Sequence, residues 1–218
     1  MLRRSEALRH AGKVWTLDGG EGIRLQGLYS QQPGDSRGLA VLLHGWEGSV
    51  NSNYVLANGA RLFAEGFDLF RLNFRDHGDT HHLNQEIFHS CRLDEVVWSL
   101  RDLQDRLGAG SWCLAGYSLG GNFSMRVALR AESAGLDIAH VVAVNPVINP
   151  LHAMVSMEEG IRFYERYFER KWSRSLKIKK QAFPDLYGHE TWHDIRGLRN
   201  RTHYLATTHA GFESAEQY

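Results

Sequence analysis

The pentapeptide at residues 116–120, Gly-Tyr-Ser-Leu-Gly, carries the clearest chemical signal in the sequence. It follows the apolar run 112–115 and precedes the helix-like segment 121–130, so a strand, a sharp turn and a helix succeed one another. Glycines on both sides of Ser118 allow a tight backbone turn that a Cβ atom would obstruct. Such a turn exposes the serine hydroxyl beside the N–H groups at the start of the helix. This setting suits nucleophilic attack on an acyl carbon.

The segment 44–49 supplies the hydrogen-bond donors that such a serine needs. Attack on an acyl carbon places negative charge on the former carbonyl oxygen, and one fixed N–H donor to that oxygen contributes about 3–4 kcal/mol. The segment follows the apolar run 39–43 and begins with His44, Gly45 and Trp46. Gly45 permits a close backbone turn. We interpret His44 as a brace for this loop, with a role as general base as the alternative.

The elements around these two segments alternate between strand and helix patterns. Four apolar runs predict strands, at 39–43, 68–73, 112–117 and 139–144. Amphipathic segments at 53–65 and 93–107 predict helices between them. A hairpin with strands at 13–17 and 23–29 comes first. The alternation predicts an α/β fold with a mostly parallel central sheet and helices on both faces.

After Pro150 the pattern becomes helical, and 154–180 predicts one continuous helix. We therefore predict a core at 1–150, a helical cap at 151–210 and the start of a return to the core at 211–218. The cap aromatics suit an apolar acyl chain or pack the cap on the core; they are Phe163, Tyr164, Tyr167, Phe168 and Trp172. We interpret the basic residues of this helix as a solvated face, with contact to acidic head groups as the alternative; they are Lys171, Arg174, Lys177, Lys179 and Lys180.

Together these motifs resemble the α/β-hydrolase fold, and more closely its YheT-like branch of esterases. The resemblance is carried by 44–49, 72–75, 89–90 and 116–122. It implies that Ser118 is the nucleophile and that the backbone N–H groups of Trp46 and Leu119 form the oxyanion hole. It also implies a set of residues that shape the site, which are His44, Gly45, Gly116, Tyr117 and Gly120. The implied activity is hydrolysis of a small carboxylic ester, acyl or lipid-like, without a cofactor or a metal.

The same resemblance implies an acid and then a histidine after the nucleophile. Only 100 residues follow Ser118, and the strand at 139–144 and the cap occupy most of them. The two further strands that would carry the acid and the histidine need roughly 50–60 more residues. We therefore expect a truncated chain with impaired activity, and an inactive fragment or binding module is the alternative. His203 and His209 are the remaining candidates for a base within the chain.

Two other clusters of polar residues could bind a metal. The segment 189–193 matches the H-E-x-x-H pattern of zinc hydrolases through His189, Glu190 and His193. Arg199 stands where an extended zinc motif has a further histidine, so zinc hydrolysis is a remote alternative. We interpret the second cluster as a solvated loop; it comprises Asp76, His77, Asp79, His81 and His82. Arg75 is expected to pair with a carboxylate or backbone carbonyl groups beneath this loop.

The overall composition limits which partners and which cellular location we expect for the protein. Lys and Arg together number 25, as do Asp and Glu, which argues against a nucleic-acid partner. No run reaches the ~18 apolar residues of a membrane span, and no signal peptide is evident, so we expect a cytoplasmic protein. The strand at 139–144 would leave an unpaired apolar edge, and we expect self-association there.

Overall fold

The computed structural model describes residues 2–108, 110–214 and 217. Its strands are β1 Gly12–Asp18, β2 Arg24–Ser30, β3 Leu39–Leu43, β4 Asp68–Leu72, β5 Trp112–Tyr117 and β6 Ile138–Val144. Its helices are α1 Leu2–Ala11, α2 Asn53–Ala64, α3 Leu93–Leu107, α4 Leu119–Ala134, α5 Pro150–Glu159, α6 Arg162–Ala182, α7 Pro184–Tyr187 and α8 Leu198–His209. A 3₁₀ turn spans Trp192–Asp194.

The chain divides into two compact units. The core unit comprises Met1–Phe74 and Arg92–Pro146, and the second unit comprises Arg75–Cys91 and Val147–Tyr218. The segment 75–91, predicted as part of the core, is grouped in the structure with the helical part of the chain. None of the helices that the structure describes is long and apolar enough to cross a bilayer.

The core unit is built on one six-stranded sheet with the order β1-β2-β4-β3-β5-β6. The four strands from β3 to β6 run parallel, and the β1–β2 hairpin joins β4 in antiparallel fashion. This confirms the predicted α/β fold. The register pairs Leu43 with Gly116, and Gly116 with Ala143. The segments that follow β3 and β5 therefore leave the sheet side by side.

Burial explains the apolar runs of the sequence. All five residues of β3 are buried, because the strand lies in the middle of the sheet with β4 and β5 as neighbours. One cluster on the sheet joins Leu8 of α1 to Leu56 and Ala60 of α2 and to Leu69 of β4. Helix α1 was not predicted, and it packs through Leu8 into this cluster.

The first part of the second unit forms two helices where one was predicted. The predicted single helix at 154–180 is wrong, because α5 ends at Glu159 and α6 starts at Arg162. Gly160 takes an extended conformation, and a Cβ atom there would lie 2.5 Å from the carbonyl oxygen of Ser156. The helix therefore stops at a residue that combines low helix propensity with a close backbone approach.

An ion pair inside the second unit holds the segment 75–91. Lys179 and Asp76 are 1% and 5% exposed, and Lys179 Nζ lies 2.8 Å from Asp76 Oδ1. The same ammonium group donates to the carbonyl oxygens of His81 and Asn84, at 3.3 and 2.5 Å. The interpretation of this segment as a solvated loop is wrong for Asp76, His77 and His81, which are buried.

Other polar side chains of the second unit also form hydrogen bonds within the unit. Lys180 donates to the carbonyl oxygen of Glu190, so neither Lys179 nor Lys180 belongs to an open basic face. Arg75 donates to the side-chain and backbone oxygens of Glu86, at 2.9 and 3.1 Å, which confirms the expected pairing.

The H-E-x-x-H segment does not form the helix that a zinc site requires. Only its last residues enter the short Trp192–Asp194 turn. Glu190 instead accepts a hydrogen bond from Tyr204 Oη at 2.8 Å, and its other oxygen lies 3.1 Å from His209 Nε2. Within the described ranges no group of three potential ligands could hold a metal ion. The segment therefore lacks the helical arrangement on which the zinc alternative depends.

The buried histidines predict a pH-dependent stability. Burial lowers the pKa of His77 and of His81 to about 4, whereas an unfolded histidine titrates near 6.5. Between these values the unfolded chain binds more protons, so stability should fall as the pH drops from about 6.5 to about 4. Each histidine should contribute up to about 1.4 kcal/mol per pH unit. Chemical unfolding across this range measures the slope.

Substitutions test whether His77 and His81 cause this dependence of stability on pH. Burial raises the pKa of Asp76, and a raised carboxyl pKa makes stability rise as the pH falls. The slope of the wild-type chain therefore combines opposite effects and does not by itself identify the histidines. His77→Gln combined with His81→Gln should flatten the profile. His82→Gln, on an exposed residue of the same segment, should leave it unchanged. An equal slope in the double variant would contradict the assignment.

The outer edge of β6 predicts self-association. Among the described residues β6 pairs only with β5, and Val142 and Val144 are 54% and 40% exposed. We expect copies of the chain to associate along this edge, and Val142→Lys to weaken that association because it places a charge there. Light scattering over a concentration series measures it. Leu129→Lys, at an exposed position of α4, is the matched control. A wild-type chain that stays monomeric would overturn this expectation.

Candidate active site

Ser118 is the single residue between β5 and α4. Its φ of 53° and ψ of −115° lie outside the regions that L-residues prefer, and its side chain is exposed. Its backbone N donates to the carbonyl oxygen of Val144 in β6 at 2.9 Å, and its carbonyl oxygen accepts from Asn122 N at 3.1 Å. The neighbouring strand and the first turn of α4 therefore hold a strained backbone in place.

The predicted site glycines allow α4 to begin directly against the sheet. A Cβ atom at Gly116 would lie 2.0 Å from the carbonyl oxygen of Gly120 and 2.3 Å from Ser124 Oγ. A Cβ atom at Gly120 would lie 2.4 Å from the carbonyl oxygens of both Leu43 and His44. Real side chains never approach backbone atoms so closely, so no larger residue fits at either position without displacing the helix.

The loop after β3 runs against the serine. A Cβ atom at Gly45 would lie 3.3 Å from Ser118 Cβ and 3.3 Å from the carbonyl oxygen of Tyr117. Trp46 follows Gly45 directly, and Leu119 follows Ser118 as the first residue of α4. The structure thus brings together the two segments that carry the predicted oxyanion donors.

His44 braces this loop with both ring nitrogens. Its Nδ1 lies 2.7 Å from the carbonyl oxygen of Gly45, and its Nε2 accepts a hydrogen bond from Phe74 N at 3.2 Å. Nε2 is therefore unprotonated, and Nδ1 carries the hydrogen that it donates. The ring packs on Phe74 with a centroid distance of 4.8 Å. Since both nitrogens are engaged by the backbone, the imidazole is not placed to act as a base.

Tyr54 is a loop-bracing residue that the sequence analysis missed. Its hydroxyl accepts a hydrogen bond from Gly45 N at 2.9 Å, and its ring lies 5.0 Å from the ring of Tyr117. The far end of the loop is fixed by Asn73, whose Oδ1 accepts from Val50 N at 2.9 Å. An aromatic residue in the first turn of an amphipathic helix gives no sequence signal of such a contact.

Among its described residues, the core unit supplies neither the acid nor the base of a triad to Ser118. Within that unit no described residue forms a hydrogen bond with Ser118 Oγ. The candidate histidines belong to the second unit, where His203 is exposed and His209 packs on Tyr187 and Trp192. Burial lowers the pKa of His209, against the opposing effect of Glu190.

The close contact at Gly116 predicts a large loss of stability on substitution. Gly116→Ala should destabilise the fold by about 3 kcal/mol, because the added carbon overlaps backbone atoms of α4. Gly34→Ala is the matched control, since a Cβ atom there meets nothing within 4 Å, and it should change stability by no more than about 0.5 kcal/mol. Urea unfolding measures both. Equal stabilities of the two variants would refute the close packing of α4.

Comparison with known proteins agrees with this geometry. The family model of the alpha/beta hydrolase fold matches residues 40–181. The chain is 30% identical over 145 residues to the candidate esterase YheT of Escherichia coli (strain K12), a match that covers 66% of this chain and 42% of that protein. It is 26% identical over 148 residues to the uncharacterised protein RP471 of Rickettsia prowazekii (strain Madrid E), with 62% and 56% coverage. The chain thus spans about half the length of these curated relatives.

A solved structure shows the same architecture. The esterase Pf2001 of Pyrococcus furiosus superposes with a TM-score of 0.57 at 19% identity, over 88% of this chain and 66% of that one. At this identity the likeness concerns the fold alone. The family match extends over most of the sheet, including both segments that meet at Ser118. The chain therefore belongs to the α/β-hydrolase family, and within it resembles YheT.

Proposed function

We propose that the chain is a serine hydrolase that cleaves carboxylic esters through an acyl-enzyme on Ser118. The observation that carries the proposal is the backbone of Ser118, which is held at a φ of 53° between β5 and α4. Strain of this kind, which costs about 1–3 kcal/mol, clusters at active sites. The exposure of the residue and the contact of Gly45 with it add support.

In the proposed reaction, Ser118 Oγ attacks the acyl carbon and loses its proton to a base. The bond to the alcohol oxygen then breaks, the alcohol leaves with a proton, and water releases the acid from the serine. Negative charge on the carbonyl oxygen would be stabilised by the N–H of Leu119 and that of Trp46. The first N–H groups of a helix have no acceptor within the helix, and the positive end of the α4 dipole favours the same charge.

We further propose that turnover by the 218-residue chain is low. A serine hydroxyl is a weak nucleophile without a base, and the described core unit places no histidine at hydrogen-bond distance from Ser118 Oγ. Loss of triad members lowers turnover about 10⁴- to 10⁶-fold in a serine protease. A catalytically inactive binding module is the alternative function.

The proposed substrate is a small ester with an apolar acyl part. Among the cap aromatics, Phe163, Tyr164 and Tyr167 are exposed, so they are not required to pack the second unit. Trp172 instead packs against the buried cluster of that unit.

A fluorophosphonate probe tests the nucleophile. We expect a slow covalent adduct at Ser118, located by peptide mass spectrometry, because the oxyanion donors favour the reaction while the core unit supplies no base to speed it. Ser118→Ala should abolish the adduct. Ser133→Ala, at an exposed serine near the end of α4, should not change it. Labelling that persists in Ser118→Ala would refute the assignment.

Turnover of p-nitrophenyl esters separates the enzyme from the binding module. A labelled chain with a rate close to that of buffer would support low turnover of an intact nucleophile, whereas an unlabelled and inactive chain would support the binding module. Rapid turnover that depends on Ser118 would contradict the proposed impairment, and His203→Gln and His209→Gln would then identify the base.

A further inference from the structure

One face of α6 is exposed along much of its length. We call it the α6 stripe, and it consists of Phe163, Tyr167, Arg170, Arg174 and Lys177. Their spacing of four, three, four and three residues keeps them on one side of a helix over about 21 Å. All five side chains are exposed, and Phe163 and Tyr167 are 72% and 43% exposed.

The opposite face of α6 already holds the helix in place. Leu176 is 2% exposed and packs with Tyr187, Trp192 and Leu205 in the buried cluster of the second unit. Lys179 is buried on the same side through its ion pair. The second unit therefore does not need the stripe for its own packing.

The charge of the stripe is positive without compensation from its own helix. The acids of α6 are Glu165 and Glu169, which lie off the stripe and are half-buried. Glu169 accepts a hydrogen bond from Gly197 N at 2.8 Å, so its carboxylate is directed into the second unit. Three cations thus follow one another along the stripe with no carboxylate of α6 between them.

Large apolar side chains extend the other end of the stripe. Ile161 and Tyr164 are 71% and 56% exposed, and the rings of Phe163 and Tyr164 lie 6.5 Å apart. The ammonium group of Lys171 lies 5.1 Å from the centre of the Tyr167 ring, at the boundary between the apolar and the basic parts. The first turn of α6 is therefore apolar at its surface, and the later turns of the stripe are cationic.

We propose that the α6 stripe docks on the surface of an anionic lipid bilayer. Aromatic and aliphatic side chains beside Lys and Arg are the composition with which helices bind in the plane of a membrane interface. The apolar end would enter the boundary between head groups and acyl chains, and the three cations would lie over lipid phosphates and carboxylates. Nucleic acid fits less well, because Ile161 cannot stack on bases and the chain as a whole carries equal numbers of acids and bases.

This inference does not depend on the chemistry of Ser118, so it is tested by binding alone. The wild-type chain should sediment with vesicles of phosphatidylcholine and phosphatidylserine in equal parts, and should do so less as salt is added. It should bind vesicles of pure phosphatidylcholine much more weakly. Combined Arg170→Ser, Arg174→Ser and Lys177→Ser should weaken binding on the order of 100-fold, at about fivefold for each charge. Combined Phe163→Ser and Tyr167→Ser should weaken binding to both kinds of vesicle.

The matched control removes the same charge elsewhere. Lys13→Ser, Arg37→Ser and Arg61→Ser change exposed basic residues of the core unit and should shift binding no more than about twofold. Circular dichroism of every variant excludes unfolding as the cause of a loss. Three results would overturn the proposal: no binding to the mixed vesicles at low salt, an equal loss in the control triple, or displacement from vesicles by an equal mass of duplex RNA.

Discussion

The close approach of two backbones is the constraint on which the candidate site depends. The first turn of α4 lies so near the ends of β3 and β5 that neither Gly116 nor Gly120 has space for a Cβ atom. Because the helix starts there, one residue must make the turn from β5, and that residue adopts a strained conformation. Packing of α4 and exposure of Ser118 are thus two results of the same contact.

Helices and strands with a clear pattern of apolar residues could be predicted from the sequence. The limits of β3 and α3 agree with the prediction, since an unbroken apolar run and a long apolar stripe at helical spacing have few alternative structures. The pairing of Gly116 with Leu43 depends on strand order and register, which were not predicted. The glycines around Ser118 also indicated the turn between β5 and α4, because that turn depends only on residues adjacent in the sequence.

Contacts between distant segments could not be predicted in the same way. The burial of Asp76 depends on Lys179, which is 103 residues away, and a cluster of charged residues has the composition of a surface loop until its partner is known. Similarly, 189–193 matches a helical metal motif by composition, but Glu190 bonds to Tyr204 instead. The contribution of Tyr54 is a single long-range hydrogen bond and leaves no repeated pattern.

The bracing of the loop after β3 has a consequence for how the site responds to a ligand. Tyr54 of α2 holds Gly45, while Phe74 and Asn73, just beyond β4, hold His44 and Val50. The loop is thus tied to elements on both sides, and a shift of its peptide groups requires several hydrogen bonds to break together. Its amides should exchange with solvent as one cooperative unit with the sheet. A ligand would meet dipoles that are already oriented, and it would lose little of its binding free energy to ordering the protein.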